Sequence, residues 1–200
     1  MVARRAFRDE WNVLWVVDDR AERQGASIAG VPVFGTTGAA IEKWSGQGVW
    51  FHCAIGDNEV RERIAASFEG SGFRPATLID PTAVIADSAV VRCGSYVAPH
   101  AFVGPQADVG RYCLVNVGAS IGHHSVCRDF SQICPGGRLS GHCEIGVGSF
   151  VGSNAVLGPG ASLGARAALS ASSFASRDIP EGAMGIGVPA RVLAVPPSAS

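Results

Sequence analysis

The residues best suited to chemistry in this 200-residue chain are its five histidines. His123 and His124 are adjacent, while His100 precedes this pair and His142 follows it. An imidazole exchanges a proton at a pH of about 6.5, so it can act as a general base at neutral pH, and it is also a common metal ligand. Which role is open to these rings depends on the elements that bring them together.

A six-residue repeat carries these histidines. From Ile79 to Phe174 the chain divides into sixteen hexads without a gap, and the first residue is aliphatic in every hexad except the one that begins at Cys127. The fifth residue is small in all sixteen, and the second is glycine in seven. We expect a left-handed parallel β-helix of three hexads per coil, in which the aliphatic residues fill the interior and glycine relieves the turns. Strands of successive coils would lie about 4.8 Å apart.

Because three hexads make one coil, every third hexad returns the chain to the same wall of the β-helix. His124 and His142 occupy the same position in hexads three apart, so they are predicted to stack on successive coils. His100 lies four hexads before His124 and therefore falls on another wall. Cys127 and the other cysteines of the repeat read as small core or corner residues.

Residues 1–78, which precede the repeat, have a different periodicity. Buried strands are predicted at residues 13–17 and 49–55, and helices around residues 3–11, 41–44 and 60–68. This alternation indicates a small parallel α/β sheet, which binds ligands at the carboxyl ends of its strands. Asp18, Asp19 and the segment Gly56, Asp57, Asn58 lie at such ends. Turn formation, or capping of the next helix by Asp57 or Asn58, explains the same residues without a ligand.

The composition excludes several classes of protein. The net charge is −1 and the basic residues are scattered, which removes the electrostatic basis for binding nucleic acid or an anionic membrane. The apolar stretches are too short to span a bilayer, and no signal peptide is predicted. The six cysteines contain no CxxC pair, so reduced thiols in a cytoplasmic protein are expected.

Four segments, together with the hexads, carry a family resemblance. They are residues 30–35 (GVPVFG), 54–58 (AIGDN), 121–124 (IGHH) and 187–191 (GVPAR). The chain resembles bacterial sugar acetyltransferases of the hexapeptide-repeat class, and more narrowly the group of nucleotide-amino-sugar N-acetyltransferases and sialic acid O-acetyltransferases. The resemblance implies a Rossmann-like acceptor domain (residues 1–78), an acetyl-CoA β-helix (79–180) and a capping segment (181–200). It also implies a homotrimer that binds acetyl-CoA between subunits, without metal, in surface polysaccharide or glycan synthesis.

The resemblance also assigns roles to individual residues. His123 is the expected general base, and the Gly141 N–H is expected to contact the thioester oxygen. Asp18 and Asp19 would bind the nucleoside of a nucleotide sugar, and Gly56, Asp57 and Asn58 its sugar or phosphate side. The residues expected to contact CoA are Gln132, Ser153, Ala171, Gly187 and Pro189.

The chain departs from the family pattern at three places. The first strand and Gly-rich loop of the acceptor domain are expected to be lacking. His124 replaces the acidic residue that follows the family's catalytic histidine, so Asp129 or Glu144 is the candidate acid for orienting the pair. Gln132 replaces a histidine that helps to bind CoA.

Three alternatives remain beside transfer to an amino group. One is O-acetylation of sialic acid or another sugar, and the second is a catalytically silent trimeric scaffold. The third is a zinc site like that of the β-helical carbonic anhydrases, where three histidines from adjacent subunits bind the metal. The histidine spacing differs from the one expected for that family, so the sequence predicts no metal.

Overall fold

The computed structural model describes residues 13–194, and most of them form a parallel β-helix. Seventeen two-residue strands follow one another at six-residue intervals from β6 to β22. They are Leu78–Ile79 (β6), Val84–Ile85 (β7), Val90–Val91 (β8), Tyr96–Val97 (β9), Phe102–Val103 (β10), Asp108–Val109 (β11), Leu114–Val115 (β12), Ser120–Ile121 (β13), Val126–Cys127 (β14), Gln132–Ile133 (β15), Arg138–Leu139 (β16), Glu144–Ile145 (β17), Phe150–Val151 (β18), Val156–Leu157 (β19), Ser162–Leu163 (β20), Ala168–Leu169 (β21) and Phe174–Ala175 (β22).

The strands form three walls, each a parallel sheet. Wall 1 runs from β6 through every third strand to β21, wall 2 from β7 to β22, and wall 3 from β8 to β20. Partners within a wall are three hexads apart, so that Phe102 pairs with Val84 below and with Ser120 above. The predicted coil of three hexads is confirmed.

The interior of the prism contains the first and fifth residues of the hexads. Val97, Ile121 and Leu157 are fully buried, and so are small fifth-position residues such as Ala119 and Ser125. A small residue is needed there because two inward positions fall within one short hexad. Cys127 takes an aliphatic position in the same core.

The glycines at the second hexad position were expected to relieve the turns, and that expectation is wrong. A Cβ on Gly122 would lie 2.5 Å from the Ser140 carbonyl carbon, and one on Gly152 would lie 2.5 Å from the Ala171 nitrogen. These glycines therefore let successive coils pack closely. The left-handed backbone of the corners falls instead on the fourth residue of the hexads, which is glycine in some and a larger residue in others, including His124 and His142.

The N-terminal domain contains a mixed sheet rather than the predicted parallel one. β1 (Val16–Val17) pairs parallel with β3 (Val31–Gly35), but β2 (Ser27–Ile28) pairs with β3 in the antiparallel direction. β4 (Trp50–Phe51) and β5 (Arg74–Pro75) form a separate parallel pair. The predicted strands at residues 13–17 and 49–55 are thus each reduced to two residues, and Leu14 and Trp50 are exposed.

Two of the three predicted helices are present in the described part of the chain. α1 (Thr37–Trp44) packs Trp44 against Trp15, with stacked rings 4.0 Å apart. α2 (Asn58–Gly70) contains the predicted apolar residues, with Phe68 against Phe51 and Phe73. The helix predicted at residues 3–11, like the lacking first strand and loop, falls outside the described residues.

A hairpin completes wall 1 at the C-terminal end of the β-helix. β23 (Ala183–Gly187) pairs parallel with β21, and β24 (Ala190–Ala194) pairs antiparallel with β23. Among residues 13–194, no helix is both long enough and apolar enough to cross a membrane.

Candidate active site

Three histidines cluster at the corner between walls 2 and 3. His124 and His142 are the fourth residues of hexads one coil apart, and their rings stack with centroids 4.7 Å apart and planes inclined by 20°. The predicted stacking is confirmed. His123, the third residue of its hexad, meets both rings edge-on, at 5.2 Å from His124 and 5.0 Å from His142. All three side chains are exposed.

His123 and His124 are joined through their ring nitrogens, since the two Nδ1 atoms lie 3.0 Å apart. One of them must donate and the other accept, so the contact fixes a tautomer in each ring. If His123 donates from Nδ1, its Nε2 carries a lone pair, which is the form that a general base requires.

The His123 ring packs directly against the backbone of Gly141. The two residues are three hexads apart and are therefore neighbours on successive coils. A Cβ added to Gly141 would lie 2.5 Å from His123 Nε2, so only glycine allows the ring to sit there. Within the described chain, the Gly141 N–H donates to no other residue. A potential base and an available N–H donor thus adjoin one another at this corner.

The acidic residues predicted to orient the histidine pair are engaged elsewhere, and that prediction is wrong. Asp129 accepts a hydrogen bond from the Arg111 N–H at 2.8 Å, at the corner between walls 3 and 1. Glu144 lies on wall 3 and pairs with Arg128 at 2.7 Å. His124 therefore contacts the candidate base itself, in the place where the family pattern has an acid.

The residues predicted to contact CoA lie mainly at a different corner, between walls 1 and 2. Ser153 and Ala171 are third residues of hexads one coil apart there. Gly187 approaches the same corner, because its N–H donates to Ser173 Oγ at 2.9 Å. Pro189 lies in the turn between β23 and β24. A single chain does not bring this group to the His123 corner.

Gln132 faces outward on wall 1 yet is only 8% exposed. Its Nε2 lies 3.5 Å from Cys134 Sγ, and its buried Oε1 has no hydrogen-bond partner among the described residues. The Gln132 side chain is therefore bonded through its Nε2, while its Oε1 is available as an acceptor.

The aspartates at the end of β1 organise their own loop. Asp18 pairs with Arg20 at 2.6 Å, and the hydrogen bonds from Arg20 lower the pKa of Asp18 to about 2. Asp19 accepts hydrogen bonds from the Thr37 backbone N–H at 2.6 Å and from its hydroxyl at 2.9 Å, at the start of α1. Both carboxylates are held in fixed positions at the edge of the small sheet.

In the segment after β4 (residues 56–58), the side chains of Asp57 and Asn58 make structural hydrogen bonds. Asp57 caps α2 by accepting from the Val60 N–H at 2.9 Å, so the capping explanation is confirmed. The Asn58 amide donates to the carbonyls of Gly148 and Ser149 on the β-helix, at 2.9 and 3.2 Å. Gly56 faces open space, since a Cβ there would meet nothing within 4 Å.

Arg61 is the functional position that the sequence analysis missed. It is fully buried, and its guanidinium donates to the carbonyls of Tyr112 and Phe130 on the β-helix, to that of Ile55, and to Asn58 Oδ1. The N-terminal domain is thereby attached at the corner between walls 3 and 1. The available signal was its spacing of four from buried Ala65, which places Arg61 on the inner face of α2.

A solved structure with the same architecture identifies the family. The acetyltransferase domain of PglB from Neisseria gonorrhoeae, solved in complex with acetyl coenzyme A, is 30% identical, with a TM-score of 0.88 over 96% of this chain and 92% of that chain. The chain belongs to the hexapeptide-repeat sugar acetyltransferases. The predicted fold class, an α/β N-terminal domain followed by a left-handed parallel β-helix, is confirmed.

Other relatives of this acetyltransferase agree with that assignment. PerB from Caulobacter crescentus, solved with CoA and GDP-perosamine, is 28% identical, with a TM-score of 0.82 over 88% of this chain and 84% of that chain. GDP-perosamine N-acetyltransferase from Escherichia coli O157:H7 is 24% identical over 111 residues, which cover 56% of this chain and half of that relative. The family model of the PglD N-terminal domain matches residues 1–68.

The cysteines of the acetyltransferase offer no activated nucleophile in its core. Burial raises the pKa of the Cys53 and Cys113 thiols to about 11, and it raises that of Cys143 as well. A thiol must ionise to attack, so these side chains act as small packing residues. Chemistry at the site therefore falls to the histidines.

Proposed function

We propose that this acetyltransferase moves an acetyl group from acetyl-CoA to the amino group of a nucleotide-linked amino sugar. The observation that carries the proposal is the His123 imidazole seated over the Gly141 backbone. The relatives support it, because one was solved with acetyl coenzyme A and another with CoA and a GDP-linked amino sugar. Neither O-acetylation nor a silent scaffold is favoured by these relatives.

In the proposed mechanism, His123 Nε2 accepts a proton from the sugar amine as its nitrogen attacks the thioester carbonyl. The Gly141 N–H donates to the oxygen that becomes negative in the tetrahedral intermediate. When that intermediate collapses, the C–S bond breaks and the CoA thiolate leaves with the proton that His123 holds. No covalent enzyme intermediate and no metal take part in these steps.

His124 acts in this mechanism as a positioning residue. Its Nδ1 accepts the His123 Nδ1–H at 3.0 Å, which keeps the lone pair of His123 on Nε2. A neutral imidazole thus takes the place of the family's acid: it can fix the tautomer, but it lacks the negative charge that would stabilise an imidazolium.

The remaining binding roles follow the family pattern. Residues 1–78 form the acceptor domain, residues 79–180 the acetyl-CoA domain and residues 181–200 the cap. Asp18, Asp19, Gly56 and the Asp57–Asn58 backbone face the nucleotide sugar. CoA is contacted by Gln132, Ser153, Ala171, Gly187 and Pro189. A cytoplasmic location fits the free thiols of the chain.

A homotrimer completes the site in this proposal. His123 and Gly141 lie at the corner between walls 2 and 3, whereas Ser153 and Ala171 lie at the corner between walls 1 and 2. Three β-helices around a three-fold axis would bring one corner of each subunit against a different corner of its neighbour. The acetyl-CoA groove would then lie between two subunits.

The proposal is tested by mixing the chain with acetyl-CoA and GDP-, UDP- or dTDP-linked amino sugars and following release of the CoA thiol. We expect release with one acceptor, and none with the matching sugar that carries a hydroxyl in place of the amine. His123→Ala should lower the rate by about 10²–10⁴-fold, because proton transfer is lost. Arg63→Ala, on the exposed face of α2, is the control.

Two results would contradict the proposal. Undiminished turnover by a correctly folded His123→Ala variant would remove the base from the mechanism. Failure to bind acetyl-CoA at all, measured by calorimetry, would instead favour the silent scaffold.

A further inference from the structure

The histidine corner contains one side chain more than the mechanism uses. His123 serves as the base and His124 positions it, whereas His142 has no part in proton transfer. Yet each of the three rings offers a nitrogen, and these three atoms all lie within 4.8 Å of one another. The three side chains are exposed, so an ion can reach them from solvent.

This arrangement has the composition of a transition-metal site. Neutral imidazoles are good ligands for Zn²⁺, and three histidines with one open position make a common tetrahedral set. Zinc–nitrogen bonds of about 2.0–2.1 Å separate two nitrogens of a tetrahedral site by about 3.3 Å. The Nδ1 atoms of His123 and His124 are already 3.0 Å apart. One ring nitrogen from each of the three histidines lies within 4.8 Å of the others, so the rings would have to turn toward one point to complete the set.

We propose that His123, His124 and His142 of a single chain bind a divalent transition-metal ion such as Zn²⁺, and that the bound ion inhibits acetyl transfer. The inhibition, though not the binding, rests on the proposed function. All three ligands come from two adjacent coils of one β-helix, so binding requires no second subunit.

The tautomers explain why the ion inhibits. A neutral imidazole that gives one nitrogen to a metal carries its proton on the other nitrogen. Coordination of the ion at His123 Nδ1 therefore puts a proton on Nε2, the atom that faces Gly141. In that form His123 cannot accept a proton from the acceptor amine.

The binding test titrates metal-free, tag-free protein with Zn²⁺ by calorimetry, and His142→Asn is the decisive variant. The residue at position 142 has φ +59°, a left-handed conformation that asparagine tolerates well. His100→Asn is the matched control, because position 100 also has φ +59° but lies on another corner. Cys93→Ser is included because the Cys93 thiol is exposed.

We expect one Zn²⁺ per chain in the unaltered protein, in His100→Asn and in Cys93→Ser, and at least tenfold weaker binding in His142→Asn. Absence of binding, or equal affinity in His142→Asn, would overturn the site. If the protein is active in acetyl transfer, Zn²⁺ should inhibit the transfer and EDTA should restore it. The His142→Asn variant should be much less sensitive to Zn²⁺. Binding without inhibition would overturn the regulatory part alone. An inactive protein that binds Zn²⁺ would overturn the proposed function and not the site.

Discussion

At the scale of single residues, the contact between His123 and Gly141 determines what this corner can do. The glycine leaves room for the imidazole above its Cα and exposes its own N–H beside it. Any side chain at position 141 would occupy the volume where the His123 ring now lies. Because Gly141 has no side chain, the proposed base and the proposed oxyanion donor can lie against one another.

Gly141→Ala is therefore expected to reduce transfer sharply while sparing the fold. The new Cβ would lie 2.5 Å from His123 Nε2, so the exposed ring must move away from the thioester. We expect a loss in kcat of about 10²–10⁴-fold, comparable to losing a general base, because the displaced ring no longer reaches the amine. Steady-state kinetics and thermal unfolding would be measured together. Gly70→Ala, where a Cβ meets nothing within 4 Å, is the control, and an unimpaired Gly141→Ala enzyme would refute the assignment.

Much of the residue-level arrangement could be predicted from the three-hexad period, because identical hexad positions repeat once per coil. That period correctly stacks His142 on His124. It could not place Asp129 or Glu144, because an outward side chain takes its partner from the groups nearby. Asp129 accepts from the Arg111 backbone N–H, and Glu144 pairs with the Arg128 guanidinium.

At the scale of elements, α2 attaches the N-terminal domain to the β-helix. Buried Arg61 donates to carbonyls at 3.0 and 2.7 Å on two successive coils, those of Tyr112 and Phe130. Around it, Arg111 pairs with Glu69, and Arg166 lies 3.5 Å from Glu62. In the proposed function a rigid attachment matters, because an acceptor held by this domain would have to reach a histidine at another corner.

Arg61→Leu should lower the free energy of unfolding by about 3 kcal/mol, since four oxygen acceptors, in buried or part-buried hydrogen bonds, would lose their charged donor. Denaturant unfolding followed by fluorescence would measure this loss. Arg63→Leu is the matched control, because Arg63 lies two residues away on the exposed face of α2 and should change stability by no more than about 0.5 kcal/mol. Equal effects of the two variants would show that Arg61 does not hold the domains together.

The elements differ in how far the sequence predicts them. The hexads are predictable because each one makes the same contacts with the coils above and below it. The N-terminal sheet is less predictable, because no short sequence repeat indicates how β1, β2 and β3 pair. The Val31–Gly35 strand contains a proline, and its antiparallel partner is only two residues long.

At the scale of the whole molecule, the proposed site divides between corners of different subunits. His123 would come from one chain, and the pantetheine groove beside Ala171 from its neighbour. The hexad pattern alone does not predict this division, because it depends on how copies of the β-helix meet; only the family resemblance implies it. Light scattering on the purified chain would first establish whether it is a trimer.

Mixed trimers of two inactive variants should therefore recover activity. His123→Ala lacks the base, and Ala171→Trp places a large ring in the groove, where Ala171 is exposed. In co-expressed random trimers, about a quarter of the shared sites would combine one intact half from each parent chain. Separately purified trimers, mixed without exchange, should remain inactive. Co-expressed trimers as inactive as both parents would argue that each chain holds a whole site.

The hairpin of β23 and β24 has a consequence for solubility. A parallel β-helix ends in strands whose backbone groups are free to pair, so one molecule could add to the next and build a fibre. On wall 1, β24 reverses direction after five paired residues of β23, and a further parallel coil no longer continues in register. The hairpin thus leaves wall 1 with an antiparallel edge strand, which disfavours the end-to-end addition of a second β-helix there.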